Sequence, residues 1–251
     1  MKSIREEQTE QKSTGPKKVL IDKNLLPSRG RYYNTDLYAR KLSAIEVKDL
    51  SKIKTNNVNS VFNQTLSNAI SGINYEEIKI NDKLWLIYYL RAFTYSDVPF
   101  KVLGGCVKCG ETSWFDYQLK DLDVTYANED LEKEVTMSNG DKLTVAFPTI
   151  GDEMEIAAIK ADPNYLENID TDVMTVAAHV KSINGEYVSI YEAYTNFANG
   201  KWSASDYSHL LTHLKKYAFG ARPKAVFKCP KCKETIYVDV PLGSNFFLPE
   251  I

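Results

Sequence analysis

Two Cys-x-x-Cys units, far apart in the sequence, constrain the fold of this chain more than any other feature. They span residues 106–109 and 229–232, and each stands between two β-prone runs. A Cys-x-x-Cys turn directs two sulfur atoms to one point, and two such turns together form the tetrahedral sulfur site that zinc prefers. The spacing therefore predicts a four-cysteine zinc ribbon whose metal ligands are Cys106, Cys109, Cys229 and Cys232.

The interval between the two units is long for a zinc ribbon, with 119 residues at positions 110–228. Closing a loop of that length costs roughly 4 kcal/mol of chain entropy. A structural zinc ion contributes roughly 10–16 kcal/mol in small peptides. The metal therefore outweighs the closure cost, and an insert that folds by itself would lower that cost further.

Other uses of the four sulfur atoms remain open at this stage. The pattern is also similar to rubredoxin, which holds iron in the same four-sulfur geometry, although the second unit is followed by Lys233 where rubredoxin has glycine. A dithiol redox pair needs a single Cys-x-x-Cys at a helix start, and disulfides belong to oxidising compartments. Zinc bound by reduced thiols in a cytosolic setting is the favoured interpretation.

Composition indicates a soluble, folded protein. The chain has 251 residues, 43% of them hydrophobic, and a formal net charge of −2. That charge gives no general attraction to nucleic acid or to anionic lipid. No apolar run approaches the roughly 20 residues that cross a bilayer. The polar first 18 residues lack the apolar stretch of a secretory signal and predict a disordered tail.

The order of sequence patterns predicts an α+β fold in which a mixed α/β insert interrupts the ribbon. An N-terminal loop and helical domain spans 19–100, with helices at 43–53, 58–70 and 82–94. The first helix is predicted to begin with a capping box at Ser43 and Glu46 and to have an apolar face of Ile45, Val47, Leu50 and Ile53. The ribbon comprises 101–122 together with 222–251. The insert, 123–221, carries a hairpin at 134–147 around Asn139-Gly140 and helices at 149–161, 171–183, 190–198 and 205–219. No internal repeat is predicted beyond the two Cys-x-x-Cys units.

Opposite charges gather in two stretches close to the ribbon. Residues 215–233 hold seven basic side chains and no acid, and 116–134 holds seven acids against two lysines. Lysines near the sulfurs favour the thiolate form. A shared metal would bring the two stretches together; the alternative is that each is a solvated face.

No enzyme motif accompanies the cysteines. His209 and His213 have the i, i+4 spacing of zinc hydrolases but lack the glutamate of His-Glu-x-x-His, and His179 stands alone beside a helix. We therefore predict no catalytic residues, no binding residues for an organic cofactor and no enzymatic activity. The runner-up function is a zinc-ribbon accessory protein that binds nucleic acid through the lysine-rich run and its aromatic residues, Tyr217, Phe219 and Phe227.

Several segments together carry a family resemblance. They are Leu-Pro-Ser-Arg-Gly-Arg-Tyr-Tyr at 26–33, the helix at 83–96 with Leu90, Arg91 and Tyr95, the two Cys-x-x-Cys units, and Phe246-Phe247 near the end. In these segments the chain resembles the baseplate hub proteins and hub-assembly factors of T-even-type, contractile-tailed bacteriophages.

The resemblance implies a non-enzymatic structural or assembly component of a phage tail baseplate. Its implied partners are other baseplate or hub proteins in a hetero-oligomer, and its implied place is the virion tail after assembly in the host cytoplasm; neither a membrane nor nucleic acid is an expected partner. Phe246, Phe247 and Leu248 either dock on a neighbour or pack on this chain's own core. The 26–33 segment, likewise, is either a binding edge or a seal in which Tyr32 and Tyr33 close the helical part.

Overall fold

The computed structural model describes residues 16–54, 56–163, 165, 169–240, 242 and 244–247. Within these residues, helices accompany four antiparallel sheets, which confirms the predicted α+β class. Residues 1–15 of the predicted tail lie outside the described residues, and the first strand already begins at Lys18. Among the described helices, none has both the length and the apolar character needed to span a membrane.

The N-terminal region combines a small sheet with three helices. The sheet has the strand order β1 (Lys18–Leu20), β2 (Tyr38–Arg40) and β3 (Ile70–Ser71). The helices are α1 (Ala44–Leu50), α2 (Val58–Ala69) and α3 (Ile80–Thr94), so the three predicted helices are confirmed. Helix α3 buries side chains around most of its circumference, as expected for a central helix.

The N-terminus of α1 follows the predicted capping box. Ser43 and Glu46 hydrogen-bond to each other's backbone N–H groups, and Glu46 also pairs with Arg40 at 2.6 Å. The inward face of this short helix consists of Val47 and Leu50. The prediction that Ile45 shares this face is wrong, because its side chain is 73% exposed on the opposite side.

Three strands follow α3. They are β4 (Phe100–Gly105), β5 (Thr112–Tyr117) and β6 (Leu122–Thr125). Strands β4 and β5 form a two-stranded antiparallel hairpin, and the first Cys-x-x-Cys unit is its turn.

The insert contains more β-structure than the sequence predicts. It comprises β7 (Glu134–Thr136), β8 (Lys142–Val145), α4 (Ile150–Ala161), α5 (Thr171–Ala177), β9 (Val180–Ile183), β10 (Glu186–Tyr187), α6 (Ile190–Ala198) and α7 (Ala204–Lys216). The predicted hairpin around Asn139-Gly140 is β7–β8, and the strand order is β10-β9-β8-β7.

The single helix predicted at 171–183 is wrong in its second half. Helix α5 ends at Ala177, and Val180–Ile183 instead pairs with β8 as β9. The turn to β10 consists of Asn184 and Gly185, both with positive φ. Asn-Gly at such a turn is the same hairpin signal that marks β7–β8, so the insert holds two hairpins rather than one.

The chain ends with a second hairpin around the second Cys-x-x-Cys unit. Its strands are β11 (Gly220–Lys228) and β12 (Thr235–Asp239), and α8 (Ser244–Phe247) follows. Strand β11 also pairs with β6, giving the order β12-β11-β6. Strand β6 follows the first hairpin in the sequence and pairs with β11, the first strand of the second hairpin.

The buried apolar side chains form two clusters. The first unites the N-terminal helices with both cysteine hairpins, as Leu86, Val102 and Ile236 illustrate. The second lies within the insert and includes Leu143 and Trp202. The helical region and the cysteine hairpins therefore share one core. The predicted division of the chain stays a prediction; its parts are the tail at 1–18, the helical domain at 19–100, the ribbon at 101–122 with 222–251, and the insert at 123–221.

A buried carboxylate anchors the segment at 26–33. Asp82 on α3 accepts hydrogen bonds from the Ser28 N–H at 2.9 Å and from the Tyr33 hydroxyl at 2.8 Å. The Tyr33 oxygen in turn accepts from the Lys79 N–H at 3.0 Å. Tyr33 thus closes the first core, as one of the two hypotheses for this segment expects.

The other side of this segment contacts the insert. Arg31 pairs with Asp130 at 2.9 Å, and the Pro27 carbonyl accepts from the Ala127 N–H at 2.8 Å. The ring of Tyr32 stacks on Phe219 in the second core. Both tyrosines are therefore used within the chain, which leaves the binding-edge hypothesis without its aromatic pair.

The C-terminal phenylalanines pack on this chain's own core. Phe246 and Phe247 are buried, Arg91 donates to the Phe246 carbonyl at 2.7 Å, and the Tyr95 hydroxyl donates to the Phe247 carbonyl at 2.8 Å. The hypothesis that these two rings dock on a neighbour is therefore wrong. Leu248, the third residue of that hypothesis, lies outside the described residues.

Candidate metal centre

The two cysteine hairpins bring all four predicted ligands together. The Sγ atoms of Cys106, Cys109, Cys229 and Cys232 lie within 4.8 Å of one another, and the four thiols are free. Among the described residues, this is the one group of three or more potential ligands whose donor atoms converge in this way.

The sulfur separations match a four-sulfur metal site. The Sγ atoms of Cys106 and Cys232 are 3.5 Å apart, and those of Cys109 and Cys229 are 3.6 Å apart. A regular tetrahedron with zinc–sulfur bonds of about 2.3 Å has edges of about 3.8 Å. A disulfide requires a sulfur separation of about 2.05 Å. The donor set and its dimensions therefore fit a tetrahedral metal ion.

The two Cys-x-x-Cys turns have the same backbone structure. In each, the N–H of the first cysteine donates to the carbonyl five residues later, Glu111 or Glu234, at 2.8 Å. The residue after the second cysteine, Gly110 or Lys233, has a positive φ. Its N–H donates back to the carbonyl of the first cysteine. Lys233 thus adopts the left-handed conformation that glycine normally supplies.

Two ion pairs cross between the turns. Lys108 of the first turn lies 2.9 Å from Glu234 of the second, and Lys231 of the second lies 3.6 Å from Glu111 of the first. Both pairs are substantially exposed, so solvent screens them and each contributes little to the stability of the folded state. Their arrangement is reciprocal: exchanging the two hairpins converts one pair into the other.

The thiols do not ionise equally. The backbone N–H of Cys232 donates to the sulfur of Cys229 and lowers the pKa of that thiol to about 7. The Glu111 N–H favours the thiolate of Cys109, but loss of hydration and the three adjacent sulfurs outweigh it and raise the pKa of Cys109 to about 12. Four thiolates this close repel one another, and a divalent cation among them would remove that repulsion.

Packing beneath the sulfur site follows the same reciprocal pattern. The rings of Phe115 and Phe227 stack with their centroids 4.6 Å apart. At the matching place on the other side, β4 approaches β12 closely, because Gly104 presents no side chain to Val238. The large pair Phe115–Phe227 on one side and the smaller pair Gly104–Val238 on the other together set the distance between the two hairpins, and this distance lets the four sulfurs meet.

We expect Gly104→Ala to lower the free energy of unfolding by about 1–3 kcal/mol. Its Cβ would lie 2.6 Å from Val238 Cγ2 and 2.9 Å from Phe115 Cε2, so both side chains must move. Gly105→Ala is the matched control, because a Cβ there meets no atom within 4 Å. Urea unfolding of the two variants measures the difference, and equal losses would contradict this account of the packing.

The internal repeat extends beyond the two Cys-x-x-Cys units, so the prediction that only these units repeat is wrong. Residues 101–116 and 224–239 align without gaps at an offset of 123, and seven of the 16 positions are identical. Comparing the sequences around both units would have revealed this signal. The identical pairs are Lys101/Lys224, Cys106/Cys229, Lys108/Lys231, Cys109/Cys232, Glu111/Glu234, Thr112/Thr235 and Asp116/Asp239.

The histidines considered in the sequence lie away from the cysteines' converging sulfurs. His209 is exposed, and His213 Nε2 lies 2.8 Å from the Glu132 carbonyl. His179 follows α5 with its Nδ1 3.1 Å from the Thr175 carbonyl, and burial lowers its pKa to about 4.

The basic and acidic stretches do meet, as the shared-metal hypothesis predicts. Strand β11 pairs with β6, and Arg222 lies 2.9 Å from Asp123. Tyr217 and Phe219, which the nucleic-acid hypothesis requires as stacking surfaces, are buried in the second core. The basic stretch is thus partly neutralised and lacks two of its three proposed stacking rings.

Comparison with protein families identifies the class of protein to which this fold belongs. The sequence matches the family model described as T4 bacteriophage base plate protein over residues 25–196, more than half of the chain. The chain belongs to this family. No curated protein and no solved structure is significantly similar to it. The predicted resemblance to T4-type phage baseplate proteins is therefore confirmed.

The matched range of this baseplate protein contains only part of its sulfur site. It includes the 26–33 segment, Asp82, Cys106 and Cys109, but it ends at residue 196, ahead of Cys229 and Cys232. Family membership therefore places the protein in the phage tail baseplate, whereas the four-cysteine centre rests on the geometry of the chain.

Proposed function

We propose that Cys106, Cys109, Cys229 and Cys232 bind one structural zinc ion, making the two hairpins a zinc ribbon. The observation that carries this proposal is the convergence of four free thiols, from residues 123 positions apart, within 4.8 Å. Zinc favours a closed tetrahedral set of thiolates with no open position. The ion would hold the two ends of the insert together, a structural rather than a catalytic task.

Elemental analysis of the purified protein tests the metal. We expect one zinc per chain and no stoichiometric iron. A red protein containing iron would show the rubredoxin-type alternative to be correct. Protein with neither metal, whose thiols react fully with a thiol reagent under native conditions, would overturn the metal site altogether.

We further propose that the protein is a non-enzymatic structural or assembly component of the baseplate hub and works by contact with other baseplate proteins. Its family supports this, as does an architecture in which the converging side chains are thiols suited to a closed metal site. The protein would assemble in the host cytoplasm as part of a hetero-oligomer and reach the virion tail baseplate, or act there transiently.

Quantitative mass spectrometry of phage particles and of baseplate intermediates tests this proposal. A constant copy number in virions supports a resident subunit. Presence in baseplate intermediates but not in virions supports an assembly factor. Absence from both would overturn a role in the baseplate.

A further inference from the structure

The outer faces of the two cysteine hairpins carry the same exposed chemistry. On β4–β5, Leu103 faces Trp114 across the strands, and they are 52% and 64% exposed. On β11–β12, Val226 faces Tyr237, and they are 44% and 68% exposed. Each face thus presents an aliphatic residue beside an aromatic ring.

A lysine–aspartate pair flanks each of these apolar pairs. Lys101 lies 2.7 Å from Asp116 on the first hairpin, and Lys224 lies 3.9 Å from Asp239 on the second. In each hairpin, the lysine–aspartate pair lies two residues farther from the cysteines than the apolar pair, a distance of about 7 Å along the strands. We call these surfaces the first face (Lys101, Leu103, Trp114, Asp116) and the second face (Lys224, Val226, Tyr237, Asp239).

The inward positions of the repeat differ, whereas the outward positions that form the two faces agree; the outward position next to the cysteines, Gly105/Lys228, lies outside the faces and differs. The four inward pairs change in size or polarity: Val102/Ala225, Gly104/Phe227, Ser113/Ile236 and Phe115/Val238. The outward pairs of the two faces keep their chemical class at every position: Lys101/Lys224, Leu103/Val226, Trp114/Tyr237 and Asp116/Asp239.

Packing against the core cannot explain this pattern, because it acts on the inward side chains. Cross-strand pairing on the outer face stabilises each hairpin, but it does not require the same side chains in both. Exposed positions away from special contacts tolerate substitution with little effect on stability. Retention of an exposed ring, an aliphatic neighbour and an ion pair in both halves therefore indicates a shared external contact. Exposed aromatic residues are also the side chains that most often dominate protein–protein interfaces.

We propose that the first and second faces bind two copies of one partner, a baseplate protein, with the same segment of the partner on each face. This rests on the proposed contact function and specifies its partner. The partner segment presents an aliphatic side chain that packs on the ring. About 7 Å along the strand direction, it presents one acidic and one basic side chain to the lysine–aspartate pair.

The charges favour protein over nucleic acid as the occupant. Each face combines one lysine with one aspartate and has no net charge, whereas phosphate binding requires an excess of positive charge. A second copy of this chain is also disfavoured. The inward sides of the hairpins face each other, so the two outer faces point apart, and self-association through both would propagate into an open filament.

Site-specific photo-crosslinking in infected cells tests the proposal. The photoreactive amino acid benzoylphenylalanine is placed at position 114, 237 or 187 of the full chain, and crosslinked peptides are identified by mass spectrometry. Tyr187 on β10 is the control, since it is 79% exposed and lies outside the repeat. We expect positions 114 and 237 to capture the same peptide of the same baseplate protein, and position 187 not to capture it.

Every other outcome overturns the proposal. Capture of different proteins or different regions at 114 and 237 would mean that the faces have different partners, and the proposed contact function would remain. Capture of this chain's own peptides would indicate self-association. Capture of the shared peptide at 187 as well would indicate unspecific proximity. With no crosslink at 114 and 237, this inference fails, and the contact function fails with it only if the chain is also absent from baseplate intermediates.

Partner copy number provides an independent measurement. Complexes isolated with the full chain should contain two partner copies per chain, and one copy after either Trp114→Ser or Tyr237→Ser. The double variant should bind at least about tenfold more weakly than either single variant. Zinc content of one per chain verifies folding of each variant. A single substitution that removes both copies, or a double variant that still holds two, would overturn the two-face arrangement.

Discussion

Removal of the metal is expected to lower the free energy of unfolding by about 4 kcal/mol or more. In the proposed site, the zinc ion would close an interval of 119 residues, whose closure costs roughly 4 kcal/mol by chain entropy alone. Without the zinc ion, its positive charge no longer offsets the repulsion between the four neighbouring thiolates. Urea unfolding of the holoprotein and of protein stripped by a chelator after partial denaturation measures this difference.

Substitution of a single ligand should produce the same loss. Cys106→Ser and Cys232→Ser each remove one of four sulfurs, and the reciprocal geometry of the two turns predicts nearly equal effects. The decisive control combines the two treatments: chelation should destabilise the wild type but have no further effect on either variant. An unchanged unfolding midpoint after complete zinc removal would contradict a structural metal.

The sequence predicts the features that depend on local pattern. The capping box of Ser43 and Glu46, the Asn139-Gly140 hairpin and the convergence of the cysteines each follow from residues close together or from a known ligand spacing. Asn184-Gly185 carries the same hairpin signal, but the apolar residues around it also fit a helix. Pairing of β9 with β8 decides between the two, and that pairing is a tertiary contact.

The role of the 26–33 segment could not be derived from its own residues. Two adjacent tyrosines fit a binding edge as well as a seal. The outcome depends on Asp82, 49 positions away from Tyr33, and on the ring of Phe219 in the insert. The repeat, in contrast, is visible in the sequence itself, where matching lysine, glutamate and aspartate positions accompany the two pairs of cysteines.

Loss of the Asp82 carboxylate should strongly destabilise the N-terminal region. Asp82→Ala would leave the Ser28 N–H and the Tyr33 hydroxyl without their buried acceptor. Each unsatisfied buried group costs about 1–3 kcal/mol, so we expect a total loss of about 3 kcal/mol. The same measurement on Asp130→Ala is the matched control, because its exposed pair with Arg31 holds the same segment and contributes at most about 1 kcal/mol.

The pH dependence of stability separates the charge of Asp82 from its hydrogen bonds. Burial raises the pKa of this carboxyl in the folded protein, against the opposing hydrogen bonds from Ser28 and Tyr33. Above the ordinary carboxyl pKa of about 4, the unfolded chain has lost its proton while the folded protein still holds one. The contribution of Asp82 to stability therefore falls as the pH rises from there through its folded pKa. Asp82→Asn cannot ionise, so in urea unfolding across this interval its stability should decline less steeply than that of the wild type. Parallel declines would show that Asp82 titrates normally and that its value to the fold lies in hydrogen bonding alone.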